Sequence, residues 1–396
     1  MENNLIQNLT ALKALPGSWD IFSFEQLVKD VSGGNKKTLK SDFLDKGEFV
    51  IVDQGQSLVA GYTNNRALLV KTPPPYIVFG DHTRALKYID VPFAMGADGT
   101  KVLKSINDET VNGKYLYYFF LTLNIPNTGY NRHFKYLKSV KIPLPPLAEQ
   151  KQIAAILDAA DSLRQKDQQL VEHYTALSQS LFLEMFGDVF LNNKHYPKAT
   201  FKQLLDKVQI GPFGSQLHKH DYVENGVPLI NPVHIVESKV LPSNSFSILK
   251  EKYDSLPNYH LKEGDLIMAR RGEMGRCALI TRKEEGFFCG TGSLYLRPNN
   301  NVNSTFLLHV ITSDSGKSYL ERNAQGVTMM NLNKKIILNI EIGLPPIELQ
   351  NQFEVSINLI EQQKQQAQAN LEKSEALFNS LLQRAFTGEL TANKAA

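Results

Sequence analysis

A chain of 396 residues exceeds what one ordinary core organises, so two or three domains are expected. Its hydrophobic share of 42% and charged share of 21% are ordinary globular values, which excludes a disordered or fibrous chain. A net charge of +3 is compatible with nucleic acid without arguing for it, because phosphate affinity depends on local clusters. The apolar runs are far shorter than the ~20 residues of a membrane span, and the first residues show no secretory pattern. A cytoplasmic protein without membrane association is the expectation. Cys277 and Cys289 form neither a disulfide framework nor a zinc signature.

In chain order, Leu5, Ile6, Leu9, Leu12 and Leu15 fall at helical spacing and predict a short helix over 1–16. Residues 17–146 follow as a mixed α+β domain. Short apolar runs at 49–52, 67–70, 76–79 and 88–91, bounded by turn residues, predict strands, and 116–123 predicts a helix. A long helix is expected over 147–187. A second domain, 188–346, repeats the order with different residues: strands at 227–230, 265–269, 277–280 and 293–296, then a helix at 305–312. A second long helix occupies the C-terminal segment, 347–396.

The two long helices are copies of one segment. Between 142–186 and 342–386 there are 14 identities in one ungapped register, among them Leu144, Pro145, Pro146 and Gln150 against Leu344, Pro345, Pro346 and Gln350. In the first, Ile153, Ile156, Ala160, Leu163, Asp167, Leu170, Tyr174, Leu177 and Leu181 alternate three- and four-residue steps. In the second, Phe353, Ile357, Ile360, Lys364, Ala367, Leu371, Ser374, Phe378, Leu381 and Ala385 do the same, and Leu377 falls on the shared register. Such a seam needs a partner seam. Each helix would be roughly 60 Å long, and the two most economically pair with each other. Parallel and antiparallel pairings are both possible. Antiparallel is favoured, because it gives pseudo-two-fold symmetry with a mixed α/β domain at each end.

Catalytic signals are weak. Thr72-Pro73-Pro74-Pro75-Tyr76 resembles the Pro-Pro-aromatic element of amine methylases, but Pro73 stands where a side-chain carbonyl is needed, so a rigid turn is the better reading. Gly290-Thr291-Gly292 is too short to cradle a nucleotide. Asp81 and His82 sit on a turn without a nucleophile or second metal ligand, which suits a contact surface. No cofactor is expected, and the chain does not read as an enzyme.

Donor-rich clusters occur at corresponding places in both domains. In the first, Tyr130, Asn131, Arg132, His133 and Lys135 form a run without an acid, joined by Arg66, Asp81, His82, Arg84 and Gln54-Gly55-Gln56. In the second, Lys219, Arg270, Arg271, Arg276 and Asn331 are the candidates. Such side chains grip phosphates and read base edges; solvated loops are the plain alternative for any one of them.

The two Leu-Pro-Pro-led helices, the Gln150 and Gln350 that follow them, and the Phe386-Thr387-Gly388-Glu389-Leu390 ending resemble the conserved regions of Type I restriction-modification specificity subunits. The resemblance covers essentially the whole chain. It implies two target-recognition domains, each reading half of a split site in double-stranded DNA, separated by a pair of long antiparallel coiled-coil helices. It also implies docking of two copies of an adenine-N6 methyltransferase subunit and a helicase-nuclease restriction subunit. Docking surfaces would include Leu144, Pro145, Pro146, Gln150, Ile153, Leu163, Leu177 and Leu181, with Leu344, Pro345, Pro346, Gln350, Phe353, Ile360, Leu377 and Leu381. Two rivals stay open: a coiled-coil adaptor whose domains read peptides, and a solitary enzyme.

Overall fold

The structure is a computed structural model; it describes residues 15–96, 98–325 and 331–391, without the side chains of Ser215 and Lys219. The helix expected over 1–16 therefore lies almost entirely outside the described residues. Two compact units emerge, one from Met1–Gln169 with Gln368–Ala396 and the other from Leu170–Ala367.

The first unit opens with β1 (Asp20–Ser23), α1 (Phe24–Leu27) and β2 (Val28–Asp30). Then come β3 (Phe49–Val52), β4 (Gly61–Thr63), β5 (Tyr76–Gly80), β6 (Leu86–Ile89), β7 (Phe93–Met95) and β8 (Thr100–Ser105). Helices α2 (Gly113–Leu121) and α3 (Phe134–Lys138) lead to β9 (Lys141–Leu144) and the long α4 (Leu147–Phe186). Strand order β2-β8-β5-β6 forms the main sheet, β4-β3-β7 a second, and β1-β9 a ribbon. Tyr76, Ile77, Val78 and Phe79 are all buried, because β5 has core on both faces; a continuous apolar run suits such a strand. One expected strand is absent. Residues 66–68 form a 3₁₀ turn, because the Asn65 side chain accepts the Ala67 N–H at 3.0 Å and closes the chain locally.

The second unit repeats the plan. Strand β10 (Lys198–Thr200), α5 (Phe201–Leu204) and β11 (Leu205–Ile210) precede β12 (Tyr222–Val223) and β13 (Val227–Ile230). A longer connection holds β14 (Ile235–Val236) and β15 (Lys239–Val240), then β16 (Ser247–Ile248), which pairs antiparallel with β13 as β4 does with β3, and α6 (Lys250–Ser255). Strands β17 (Leu266–Ala269), β18 (Cys277–Leu279), β19 (Phe288–Cys289) and β20 (Ser293–Pro298) complete its sheets. Helices α7 (Ser304–Thr312), α8 (Asp314–Asn323) and α9 (Lys334–Leu338) lead through β21 (Glu341–Gly343) to α10 (Ile347–Ala385). The orders β11-β20-β17-β18 and β10-β21 reproduce the first unit, and the parallel pair β13–β19 matches β3–β7. Both central helices are capped alike: Asn112 accepts the Tyr115 N–H, and Asn303 the Phe306 N–H.

Within each unit the long helices pack as antiparallel halves. In the first, Ile153, Leu157 and Ala160 of α4 share a core with Phe378 and Ala385 of α10. Glu149 meets Thr391, and the Arg164 guanidinium lies over the Phe378 ring, so α10 runs against α4. In the second, Phe182 and Phe186 of α4 pack on Phe353, with ring centroids 5.6 and 5.2 Å apart. The seam of α10 follows the expected register: Phe353, Ile357, Ala367, Leu371, Ser374, Phe378 and Ala385 are all buried. The seam of α4 follows it only in part: Ile153 and Ala160 are buried as expected, whereas the leucines that lie between Ala160 and Leu181 are not. Leu157 is buried where Ile156 was expected, and Leu163, Leu170 and Leu177 lie outside the seam, with Leu163 46% and Leu177 48% exposed. Both phases alternate threes and fours; the leucine heptad pointed to the wrong one, while the packed face carries Arg164 and Ser178. Leu377 is also exposed, beside the buried Phe378.

Candidate nucleic-acid interface

In the first unit the turn after β5 and the loop before α3 are joined into one surface. The Asp81 carbonyl accepts the His133 N–H at 2.8 Å, and its carboxylate accepts the Phe134 N–H at 2.8 Å. His133 is wholly buried, and its Nδ1 lies 2.9 Å from the same carbonyl. Asp81 and His133, expected as contact residues, are therefore internal struts of the loop. Their reach is replaced by what they support. The His82 ring stacks on Tyr130 at 4.6 Å and 7°, and Tyr130 is 87% exposed. Asn131, Arg132 and Lys135 are exposed on the same loop and the start of α3. Arg84, in the left-handed region at φ 63, donates to the Ile125 carbonyl at 3.1 Å, so it too braces the loop. Arg66 is exposed on the separate 3₁₀ turn.

The second unit builds the same surface with different chemistry. The Arg270 carbonyl accepts the Leu332 N–H at 2.9 Å, the counterpart of the Asp81–His133 rung. Arg270 Nε donates to Asn331 Oδ1 at 2.9 Å, and Arg271 bridges Asn331 through the backbone. Partial burial and the adjoining Arg271 charge push the Arg270 guanidinium below its ordinary value. Arg276 is engaged twice, by Glu273 at 2.6 Å and by the Pro232 carbonyl at 3.2 Å. That pairing holds the Glu273 carboxyl below the usual carboxylate range. Arg271 is the exposed cation of the turn. The Lys219 side chain lies outside the described residues.

Further residues join the surface, of which the sequence pattern singles out Gln54 but neither Asn231 nor Lys317. Gln54 Oε1 accepts the His82 N–H at 3.2 Å, and Asn231 Oδ1 accepts the Gly292 N–H at 3.3 Å, so the loops after β3 and β13 join the surface. On α8, which has no counterpart in the first unit, the Lys317 stem packs against Gly275.

The Leu-Pro-Pro segments serve as a joint. Gln150, buried at the start of α4, accepts the Asn112 N–H at 2.8 Å and donates to the carbonyls of Pro145 at 2.8 Å and Thr110 at 3.0 Å. Gln350 accepts the Asn303 N–H at 2.9 Å and donates to the Pro345 carbonyl at 2.8 Å. Each glutamine thus ties the long helix to the cap of the central helix, facing inward rather than toward a partner. Leu144, Leu344, Leu181, Leu381 and Ile360 are partly buried against the same cores, and Ile153 and Phe353 are fully enclosed. Among the described residues no helix is long and apolar enough to cross a membrane, and no cluster of metal-ligating side chains occurs.

The model of the Type I restriction modification DNA specificity domain matches residues 16–173 and 199–369. Among curated relatives, the Escherichia coli EcoR124I/EcoR124II specificity subunit is 28% identical over 335 residues, covering 79% of each chain. The Escherichia coli EcoBI specificity subunit is 22% identical, over 98% of this chain and 89% of that one. The MjaVIII specificity subunit of Methanocaldococcus jannaschii is 23% identical over 63% of this chain, which spans 62% of that relative's length. Among solved structures, the S subunit of a Type I restriction-modification system from M. genitalium superposes with a TM-score of 0.60 at 17% identity, covering 93% and 96% of the two chains.

Proposed function

We propose that this chain, which belongs to the Type I restriction modification DNA specificity family, reads a bipartite site in double-stranded DNA, one half-site per unit. The observation that carries the reading is the duplicated surface: one scaffold, used twice, presents Tyr130 and Arg132 in one unit and Arg271 in the other. A preserved frame with divergent tips is what two different half-sites require, since phosphate contacts set register while side chains at base edges set sequence. The chain is a specificity subunit and not an enzyme; methylation and cleavage belong to other subunits.

In this reading α4 and α10 act as the spacer that sets the number of base pairs between half-sites, a duplex turn being ~34–36 Å. Exposed Leu163, Leu177 and Leu377, with the neighbouring helix surfaces, dock two copies of an adenine-N6 methyltransferase subunit, and a helicase-nuclease restriction subunit joins them in the cytoplasm. The boundaries proposed for these parts are recognition domains at 17–146 and 188–346 and spacers at 147–187 and 347–396. The test is to insert or delete one helical turn in both long helices and map methylated adenines in cells carrying the chain with its partners. The gap between half-sites should change while both half-site sequences stay. Altered half-sites with an unchanged gap would overturn the spacer role. If the adaptor reading holds instead, the chain with its methyltransferase will not shift duplex DNA in a mobility assay.

A further inference from the structure

A neutral loop stands inside the basic surface of the first unit. Residues 53–60 join β3 to β4, and their one charged side chain, Asp53, is already engaged. Its carboxylate accepts the Gly55 N–H at 2.8 Å and lies 3.8 Å from the ammonium of the buried Lys87, which also donates to the Asp53 carbonyl at 2.9 Å. The next residue is held from the other side. Gln54 accepts the His82 N–H through its side chain and the Thr83 hydroxyl through its carbonyl. The stem is thus fixed to the turn that carries the His82–Tyr130 stack. Beyond it, Gln56, Ser57 and Leu58 project to solvent, Leu58 being 58% exposed.

Gripping a phosphate calls for charge, and this tip has none. Base edges are read by side-chain amides and apolar groups: Gln pairs with adenine N6 and N7 in the major groove, and apolar side chains contact the thymine methyl. The corresponding connection of the second unit is longer and only begins alike. Its Pro232 carbonyl is held by Arg276 at 3.2 Å, Asn231 pins Gly292, and the uncharged Val233 is exposed at its start, before the β14–β15 hairpin exposes Glu237 and Lys239.

Resting on the duplex-reading function, we propose that residues 56–58 form the base-reading tip of the first unit. Gln56 recognises the adenine of one A·T pair and Leu58 packs on a thymine methyl beside it, while Arg132 and Lys135 grip the backbone. Both tip side chains are exposed, so Gln56→Ala and Leu58→Ala leave the fold intact.

The full chain, with its methyltransferase partner, is expressed as wild type, Gln56→Ala, Leu58→Ala and Arg132→Ala, and methylated adenines are mapped across the genome. In the wild type, one A·T position of one half-site is preferred on the order of 10-fold over other pairs. Gln56→Ala should reduce that preference to within about 2-fold at that position alone, leaving the rest of the motif unchanged. Leu58→Ala should relax the same or the adjacent A·T position. Arg132→Ala should lower methylation at every site without altering the motif. An unchanged motif in both tip variants, relaxation confined to a G·C position, or relaxation in both half-sites would each overturn the assignment. A genome without any motif that depends on this chain would overturn the duplex-reading function as well, which separates the two failures.

Discussion

The two units share a frame and differ at nearly every chemical choice built on it. At the joint with the long helices, Gln150 and Gln350 make matching bonds to the helix cap and to a proline carbonyl. Further along the two helices they part. Asp158 of α4 receives the Lys114 ammonium at 2.6 Å and the Tyr118 hydroxyl at 2.8 Å, whereas Glu354 of α10 receives the Thr305 hydroxyl and the Asn303 amide, each at 2.8 Å. The reading surfaces diverge further, from a stacked His82–Tyr130 pair to the Arg270–Asn331 clasp. What sets domain orientation is preserved, and what faces outward varies. That division suits a protein whose target changes while its geometry must not.

The sharpest way to test the comparison is on one rung of the main sheets. In the second unit Arg297 of β20 holds the buried Asp265 with two bonds of 2.7 Å. In the first unit the same place on β8 is Lys104, which donates to the Pro73 carbonyl at 2.6 Å. Asp265→Ala strands a partly buried guanidinium and should destabilise the second unit by about 3–5 kcal/mol in urea unfolding. Lys104→Met removes one hydrogen bond and keeps the stem, so it should cost about 1 kcal/mol. Equal losses would mean that the two rungs are not the different devices they look.

The helices offer the next contrast. Leu157→Ala in the packed seam of α4 should cost about 2–4 kcal/mol, while Leu163→Ala on the exposed face should change stability by less than about 0.5 kcal/mol. Reversed magnitudes would restore the register that the leucine spacing suggests.

That register shows where the sequence could be read and where it could not. The duplication, the domain order and the α10 seam were legible, because aromatic and aliphatic residues fall on the buried face of α10. In α4 the buried face carries Arg164 and Ser178, and Leu163, Leu170 and Leu177 point away, so apolarity and burial part company. At the interface the clusters were found, but their internal roles were not. Asp81 and His133 look like contacts in sequence; only the chain crossing 52 residues away turns them into struts. Gln54 and Asn231 join the surface through backbone partners that composition does not reveal.

A pH titration separates the units at equivalent positions of α2 and α7. Tyr118 and His309 both face a phenylalanine of α10: Phe378 at 6.2 Å and Phe353 at 5.0 Å. Burial pushes the His309 imidazole down to about 4 from 6.5. The folded form therefore stays neutral while the unfolded chain takes up a proton first. Stability of the second unit should be intact above pH ~6.5 and fall progressively toward pH ~4, by at most about 3 kcal/mol. The Tyr118 phenol, raised by burial and by its bond to Asp158, stays protonated throughout and contributes no such slope. His309→Phe should lose this acid sensitivity of stability between pH ~6.5 and ~4 in thermal unfolding; a slope that persists would place its origin elsewhere.

The smallest expected effect lies at the surface and asks whether the two tips use charge alike. Arg132 is exposed beside Tyr130, and Arg271 is exposed where its neighbours Arg270 and Arg276 are held by Asn331 and Glu273. Each of the two is the cation its turn leaves to solvent. Replacing either with Ala should weaken duplex binding by the full complex by about 1 kcal/mol and reduce the slope of log affinity against log salt by about 1. Arg276→Ala should move that slope far less, because its charge is already matched by Glu273 at 2.6 Å. If Arg276→Ala lowers the slope as much as Arg271→Ala does, the Glu273 pair opens on DNA and the second tip grips with more charge than the first.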